Sequence, residues 1–185
     1  YDLLNNRRRF AGIGFWAVDY VLQFFGLILN AARGTIPDLI SITGSNTLIM
    51  GGTLLLFMGL ERFVGKRGSQ IHNFVLLALF VGVHAWFTVV NPSLGARNII
   101  FSVGLFILCF QCAWLILKLV YFEMRSIARC VVIIFVAYCL VSLIRIVEDL
   151  MLPVGQDFFQ ANIYDTSVVI VYQMLFIALT FALVL

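Results

Sequence analysis

The chain has 185 residues, of which 63% are hydrophobic and 11% charged, and its mean hydropathy is +1.07. Soluble domains carry about 25% charged residues, so this composition excludes a water-soluble globular protein and predicts a polytopic membrane protein. The formal net charge of +3 is small, and the position of each charge is therefore more informative than the sum.

Six apolar runs are long enough to cross a bilayer, which takes about 20 residues. We name them segments A to F, and they cover about 11–32, 39–64, 71–90, 98–122, 129–152 and 166–185. Lipid admits only helices or closed barrels, and these runs are too long for barrel strands, so one all-α bundle over 1–185 is predicted. The first residue is not Met and the last ones are apolar. We therefore expect a longer protein, which has seven spans if another precedes Tyr1.

Lysine and arginine are concentrated on one side of the spans. Nine lie at the N-terminus or around the B–C and D–E connections, namely Arg7, Arg8, Arg9, Arg62, Lys66, Arg67, Lys118, Arg125 and Arg129. Three lie towards the other side, namely Arg33, Arg97 and Arg145. The positive-inside rule then places both ends in the cytoplasm. The orientation of the protein in the membrane and contact with lipid headgroups explain why one side is basic. The basic residues therefore do not predict a nucleic-acid partner.

A tight turn over residues 33–38 separates segments A and B. Gly34 and Pro37 mark this turn, and proline is tolerated in a first helical turn because its missing N–H would be unpaired there. Asp38 is placed at the start of the next helix, where a carboxylate meets free N–H groups.

Segment A carries three polar side chains on one helix face, because Gln23 lies one turn after Asp19 and Asn30 lies eleven residues after it. Ionisable groups within spans are costly and face the bundle interior. Two hypotheses follow for Asp19 and Gln23: a proton or ligand site, or an interhelical hydrogen bond that determines packing.

Segment B has a face of small residues, Ser41, Ser45 and Gly52, which predicts close packing against segment A or C. Asn46 and Thr53 lie on another face. Asn46 is predicted either to form a hydrogen bond across the bundle or to reach a ligand.

Segment E has the densest polar stripe, formed by Tyr138, Ser142, Arg145 and Asp149 at offsets of four, three and four residues, with Glu148 adjacent. Arg145 can pair with either carboxylate along the helix. One hypothesis is a self-neutralised pair near the outer interface. The other is that Arg145 faces an outward cavity and binds an anion, with the carboxylates orienting it.

The cysteines and histidines predict neither a metal site nor a cofactor. Cys109 and Cys112 form a C-x-x-C in mid-span with no second pair, which indicates buried small hydrophobes. His72 and His84 are twelve residues apart, about 120° around a helix, so one ion cannot bind both. The chain carries no catalytic motif and is predicted not to be an enzyme by itself.

A set of short motifs follows the A–B turn and continues through segment D: Arg33-Gly34, Ile36-Pro37-Asp38-Leu39, Ser41-Ile42, Asn46-Thr47-Leu48, Gly51-Gly52, Gly59-Leu60, Phe63, Gly65, then Asn91-Pro92, Arg97 and Trp114. In these positions the chain resembles the multi-span sensory region that precedes the GGDEF domain of many bacterial membrane-bound diguanylate cyclases. The resemblance implies that segment F continues into the cytoplasm towards an output domain, that cyclase activity would belong to that domain, and that the protein works as a homodimer. Asp19 is not part of the resembling pattern.

These observations predict a membrane-embedded sensor that detects either a ligand, an anionic or amphipathic small molecule, or a state of the membrane. The residues predicted to bind it are Asn30, Arg33, Asn46, Arg97, Arg145, Glu148, Asp149, Tyr172 and Gln173. One alternative is a small transporter or channel that uses Asp19, although no mid-span proline or inverted repeat supports it. Another is a structural subunit of a membrane complex.

Overall fold

A computed structural model of the chain describes residues 12–66, 68–119, 125–151 and 163–184. These residues form six α-helices and one short π-helix: α1 (Ile13–Ala31), the π-helix (Leu39–Gly44), α2 (Ser45–Phe63), α3 (Ile71–Val89), α4 (Leu94–Leu119), α5 (Arg125–Met151) and α6 (Ile163–Val184). Six helical segments are long and apolar enough to cross a membrane, the π-helix and α2 together forming one of them. The predicted all-α, multi-pass membrane fold is confirmed.

The helices extend beyond the apolar runs at several ends. Helix α4 begins at Leu94, four residues before the predicted start of segment D. The Ser93 hydroxyl accepts a hydrogen bond from the N–H of Ala96 at 3.4 Å, as an N-cap serine does. Arg97 therefore lies in the first helical turn and not in a loop. Arg7 to Arg9, Arg67 and most of the 153–165 connection lie outside the described residues.

The chain divides into two compact units, Tyr1–Asn91 and Pro92–Leu185. We call them the first and second units and describe each by itself. The single domain predicted over 1–185 stays a prediction.

Helices α1 and α2 of the first unit meet in close contact along what we call the glycine seam. It is formed by residues seven apart on each helix: Gly12, Asp19 and Gly26 on α1, and Ser45, Gly52 and Gly59 on α2. Gly12 faces Gly59, Asp19 faces Gly52 and Gly26 faces Ser45, so each facing pair contains at least one glycine. A Cβ added to Gly12 would lie 2.6 Å from the Gly59 carbonyl oxygen, and one added to Gly26 would lie 3.1 Å from that of Ser45. A seven-residue repeat of this kind is the pattern of helices that coil around each other.

The π-helix follows the 33–38 turn, in which Gly34 adopts a positive φ of 87°. Asp38 is at its N-cap position, as predicted, but makes no side-chain capping hydrogen bond. Hydroxyl groups pair with main-chain carbonyls around this wide turn: Ser45 with Ile42 at 2.9 Å and Thr47 with Thr43 at 2.7 Å. The serine and threonine hydroxyls thus supply hydrogen-bond donors at the point where the π-helix changes into the α-helix α2.

The connection between α2 and α3 is held by a buried glutamate at the end of α2. Gly65 has a positive φ of 80°, and the N–H of Lys66 bonds to the carbonyl of Glu61 at 2.8 Å, which gives the helix a Schellman-type end. The Glu61 carboxylate accepts a hydrogen bond from Gln70, whose own amide oxygen accepts one from Asn73 at 2.8 Å. The loop is therefore tied to the helices on both sides of it.

The second unit consists of α4, α5 and α6. Helices α4 and α5 are antiparallel, because Asn98 bonds to Asp149 near one end while Cys139 approaches the Phe106 carbonyl farther along. Its core contains Phe135 together with Cys109 and Cys112, which are buried free thiols. The C-x-x-C pair therefore packs as small apolar side chains, as predicted.

Candidate functional site

A buried polar cluster occupies the second unit and is built on the predicted stripe of α5. Tyr138, Ser142 and Arg145 are buried, and Arg145 is only 5% exposed, while Asp149 is half-buried. The spacing of four, three and four residues indeed places these side chains on the inward face of the helix. A buried guanidinium in a membrane helix requires polar surroundings, because an unsolvated charge in hydrocarbon is costly.

Helix α4 supplies one wall of this cluster. The Asn98 amide donates to Oδ1 of Asp149 at 3.5 Å. Arg97 precedes it and is also buried, with 8% of its surface exposed. Ser102, one turn after Asn98, is fully buried. Asn98 and Ser102 were not predicted from the sequence, although their spacing of four residues from each other was a usable signal.

Helix α6 contributes Tyr172 to the cluster. The Ser142 hydroxyl and the Tyr172 hydroxyl form a hydrogen bond of 3.0 Å, and the Tyr138 hydroxyl donates to the main-chain carbonyl of Tyr172 at 3.1 Å. The two tyrosine rings stack with centroids 5.8 Å apart. The Arg145 charge also acts on the Tyr172 hydroxyl. Tyr172 thus bonds α6 to the polar stripe of α5.

The predicted ligand residues divide between the two units. Six belong to the second unit: Arg97, Arg145, Glu148, Asp149, Tyr172 and Gln173. Asn30, Arg33 and Asn46 belong to the first unit and are half-buried there. Within the second unit, Asp149 meets Asn98, and Tyr172 bonds to Ser142, one turn before Arg145. Gln173 follows Tyr172 in the sequence and is half-buried. Whether these residues bind a ligand stays a prediction.

Asp19 and Gln23 belong to the glycine seam. Asp19 is only 1% exposed, and its Oδ1 accepts a hydrogen bond from the Gln23 amide at 3.2 Å. That amide also lies 3.4 Å from the Ile49 carbonyl of α2. Gly52 provides the space for the carboxylate, since a Cβ there would lie 2.5 Å from Oδ1. Helix packing accounts for each of these contacts.

A histidine network links the π-helix, α2 and α3 of the first unit. His84 is fully buried, its Nδ1 lies 3.3 Å from the Thr43 hydroxyl, and its Nε2 lies 3.0 Å from the Asn46 amide nitrogen. The Thr43 hydroxyl donates to Thr88 at 3.1 Å, and the Thr88 hydroxyl donates to the His84 carbonyl at 2.8 Å. The sequence did not predict this network, although His84 and Thr88 are one helical turn apart.

The direction of these hydrogen bonds assigns the tautomer of His84. Thr43 gives its one hydroxyl hydrogen to Thr88, so it accepts from Nδ1–H of His84. Nε2 is then the acceptor for the Asn46 amide. A neutral imidazole protonated at Nδ1 is consistent with the direction of each of these hydrogen bonds. The hydrogen bond predicted for Asn46 across the bundle is therefore made with His84.

The described side chains of these sites form hydrogen-bonded clusters. Among the residues that the structure describes, no three His, Cys, Asp or Glu side chains are grouped so as to hold a metal ion. The fold and the buried polar cluster define an all-α multi-pass membrane protein with charged groups inside a three-helix unit. Comparisons with protein-family models, curated proteins and solved structures found no significant match.

Proposed function

We propose that the chain is a membrane-embedded sensory domain in which α6 passes a signal to a cytoplasmic output domain. The resemblance to the region preceding GGDEF domains suggests that this output domain is a diguanylate cyclase and that the working protein is an inner-membrane homodimer. The ligand is an anionic or amphipathic molecule that engages the arginines of the second unit.

One observation carries this proposal: the pair of hydrogen bonds by which Tyr172 joins α6 to the α5 stripe. Ser142 is one turn before Arg145 on α5, and Arg145 acts electrostatically on the same Tyr172 hydroxyl. A change in the position of the guanidinium therefore alters the contact that holds α6.

The signal requires two arrangements of α6 and a ligand that binds them unequally. An anion that forms charge-assisted hydrogen bonds with Arg145 draws the guanidinium away from Tyr172 and favours the arrangement with the weaker α5–α6 contact. A complete switch between 1% and 99% requires about 5.5 kcal/mol of differential binding, so more than one charged contact is needed. Arg97 provides a second cation in the same unit.

Replacing Tyr172 with phenylalanine tests the route through α6. This substitution keeps the stacked ring but removes the hydroxyl bonded to Ser142, and loss of about 1 kcal/mol shifts a two-state equilibrium about fivefold. We expect an altered cyclic di-GMP level in cells that express the full-length protein. Thr180→Val is the matched control, because that hydroxyl bonds to the Phe176 carbonyl of its own helix at 2.9 Å. Equal cyclic di-GMP levels in Tyr172→Phe and Thr180→Val would contradict the proposal that the signal reaches α6 through Tyr172.

Native mass spectrometry of the protein in mild detergent tests the ligand. We expect a bound anionic or amphipathic compound whose occupancy falls about tenfold in Arg145→Gln, because a hydrogen bond to a charged group contributes about 1.5–3 kcal/mol. Arg145→Lys keeps the charge and should retain part of the occupancy. Lys66→Gln is the control, since Lys66 is an exposed cation of the first unit. Retention of the compound by folded Arg145→Gln protein would reject the site.

A further inference from the structure

Three aromatic rings form a continuous row along α4. Phe106, Phe110 and Trp114 follow one another at one-turn intervals, with centroids 6.1 Å and 6.3 Å apart and interplanar angles of 16° and 20°. Phe110 is 53% exposed and Trp114 is 57% exposed. The rings are thus nearly parallel and present a flat apolar strip on the surface of the second unit.

A lysine, Lys118, lies at the C-terminal end of this row of rings. Lys118 is one turn after Trp114, and its Nζ lies 6.0 Å from the centre of the indole ring. Side chains in a helix point towards its N-terminus, so the lysine stem lies over the turn that carries Trp114. We call the four residues Phe106, Phe110, Trp114 and Lys118 the aromatic row. At 1.5 Å per residue it is about 18 Å long.

The aromatic row has one charged end and is otherwise apolar, as a lipid molecule has a polar headgroup and apolar acyl chains. Lys118 is the last residue of a candidate span, so the cation lies at the membrane interface and the rings extend into the hydrocarbon. One leaflet of the hydrocarbon core is about 15 Å thick, which the row matches. Tryptophan is enriched at this interface, where its indole N–H can bond to polar lipid groups.

A second positively charged residue, Arg129, lies at the same height along the α4–α5 pair as Lys118. Helices α4 and α5 are antiparallel, and the Asn98–Asp149 and Phe106–Cys139 contacts fix their register. Counting from these contacts places Arg129 opposite the end of α4, and its side chain is exposed. The same end of the helix pair therefore carries two exposed positive charges, and Lys118 is the one that adjoins the aromatic rings.

We propose that the aromatic row binds one anionic phospholipid, with its phosphate at Lys118 and one acyl chain along Trp114, Phe110 and Phe106. The phosphate pairs with the ammonium group and the indole N–H. The acyl chain covers the flat faces and edges of the rings and is ordered by them. This site is independent of the proposed sensory function, because it uses neither Arg145 nor Tyr172.

Tryptophan fluorescence in vesicles gives a direct test. The chain has three tryptophans, and Trp16→Phe with Trp86→Phe leaves Trp114 as the only emitter. Circular dichroism first checks that this variant is folded. We then compare quenching by brominated phosphatidylglycerol and by brominated phosphatidylcholine. One basic residue near the surface contributes about 1 kcal/mol, so the anionic lipid should associate with Trp114 about fivefold more strongly. Lys118→Gln should reduce this preference to about one.

Native mass spectrometry of the unaltered chain provides a second measurement. Equimolar phosphatidylglycerol and phosphatidylcholine compete for the protein, and an excess of the anionic adduct is expected. Lys118→Gln should remove the excess, whereas Lys66→Gln should leave it unchanged, because Lys66 is an exposed lysine of the first unit. Equal binding of both lipids, or an excess that persists in Lys118→Gln, would overturn the proposal. So would shielding of Trp114 from both lipids by a second copy of the chain.

Discussion

Replacing Gly52 with valine is expected to destabilise the protein by about 3 kcal/mol, the upper part of the range for overpacked interiors. The reason is steric: a Cβ on Gly52 lies 2.5 Å from Oδ1 of Asp19 and 3.3 Å from the Gln23 amide nitrogen. The glycine seam has no room for the two methyl groups unless α1 and α2 separate. The free energy of unfolding, measured by helicity during detergent denaturation, checks this expectation.

Gly51 is the matched control for this prediction. It is the neighbouring residue of the same helix, but a Cβ there has no atom within 4 Å. Gly51→Val should change stability by no more than about 0.5 kcal/mol. If both valine variants lose the same stability, the general effect of valine in a helix explains the loss and the seam does not.

The partner of Gly52 can be identified by a double substitution. Gly52→Ala introduces one methyl group, and Asp19→Ala removes the carboxylate that this methyl group would meet. We expect Gly52→Ala to be less destabilising by at least about 1 kcal/mol in the Asp19→Ala background than alone, as contacting residues are energetically coupled. Additive effects would contradict the close contact between Asp19 and Gly52.

Replacing His84 with alanine is expected to destabilise the protein by about 3 kcal/mol. The change empties a fully buried site, which leaves a cavity, and it removes the partners of Thr43 and Asn46. Because these two residues belong to the π-helix and α2, the loss should also weaken the attachment of α3. The same denaturation measurement applies.

His72 provides the matched control, since it is the other histidine of the chain, lies on the same helix and is exposed. His72→Ala should change stability by no more than about 0.5 kcal/mol. Thr43→Val should cost about 1 kcal/mol, the usual size of an interhelical hydrogen bond in a membrane protein. Equal stability of the two histidine variants would mean that the network contributes nothing measurable.

The spans could be predicted from the sequence because crossing a membrane depends on hydropathy summed over about 20 residues. All six were located to within a few residues at each described end. The errors have a local cause. The start of α4 was missed because Ser93 caps the helix before the apolar run has begun.

The α5 stripe could be predicted because the helical period alone decides which residues share a face. Tyr138, Ser142 and Arg145 are indeed buried together. The partner of Asp149, Asn98, could not be assigned, because the face of α4 that meets α5 is decided by packing between helices far apart in sequence. The sensory function and its ligand stay predictions.

Composition and the period of single helices were sufficient to predict the class of protein, the six spans and the inward face of α5. The packing of the helices against one another determines which elements meet. It paired the small residues of α2 with α1, turned the start of segment B into a π-helix, and brought Thr43 and Asn46 to opposite nitrogens of His84. The physical reason is that close approach and hydrogen-bond direction depend on two surfaces at once, and one local sequence describes only one of them.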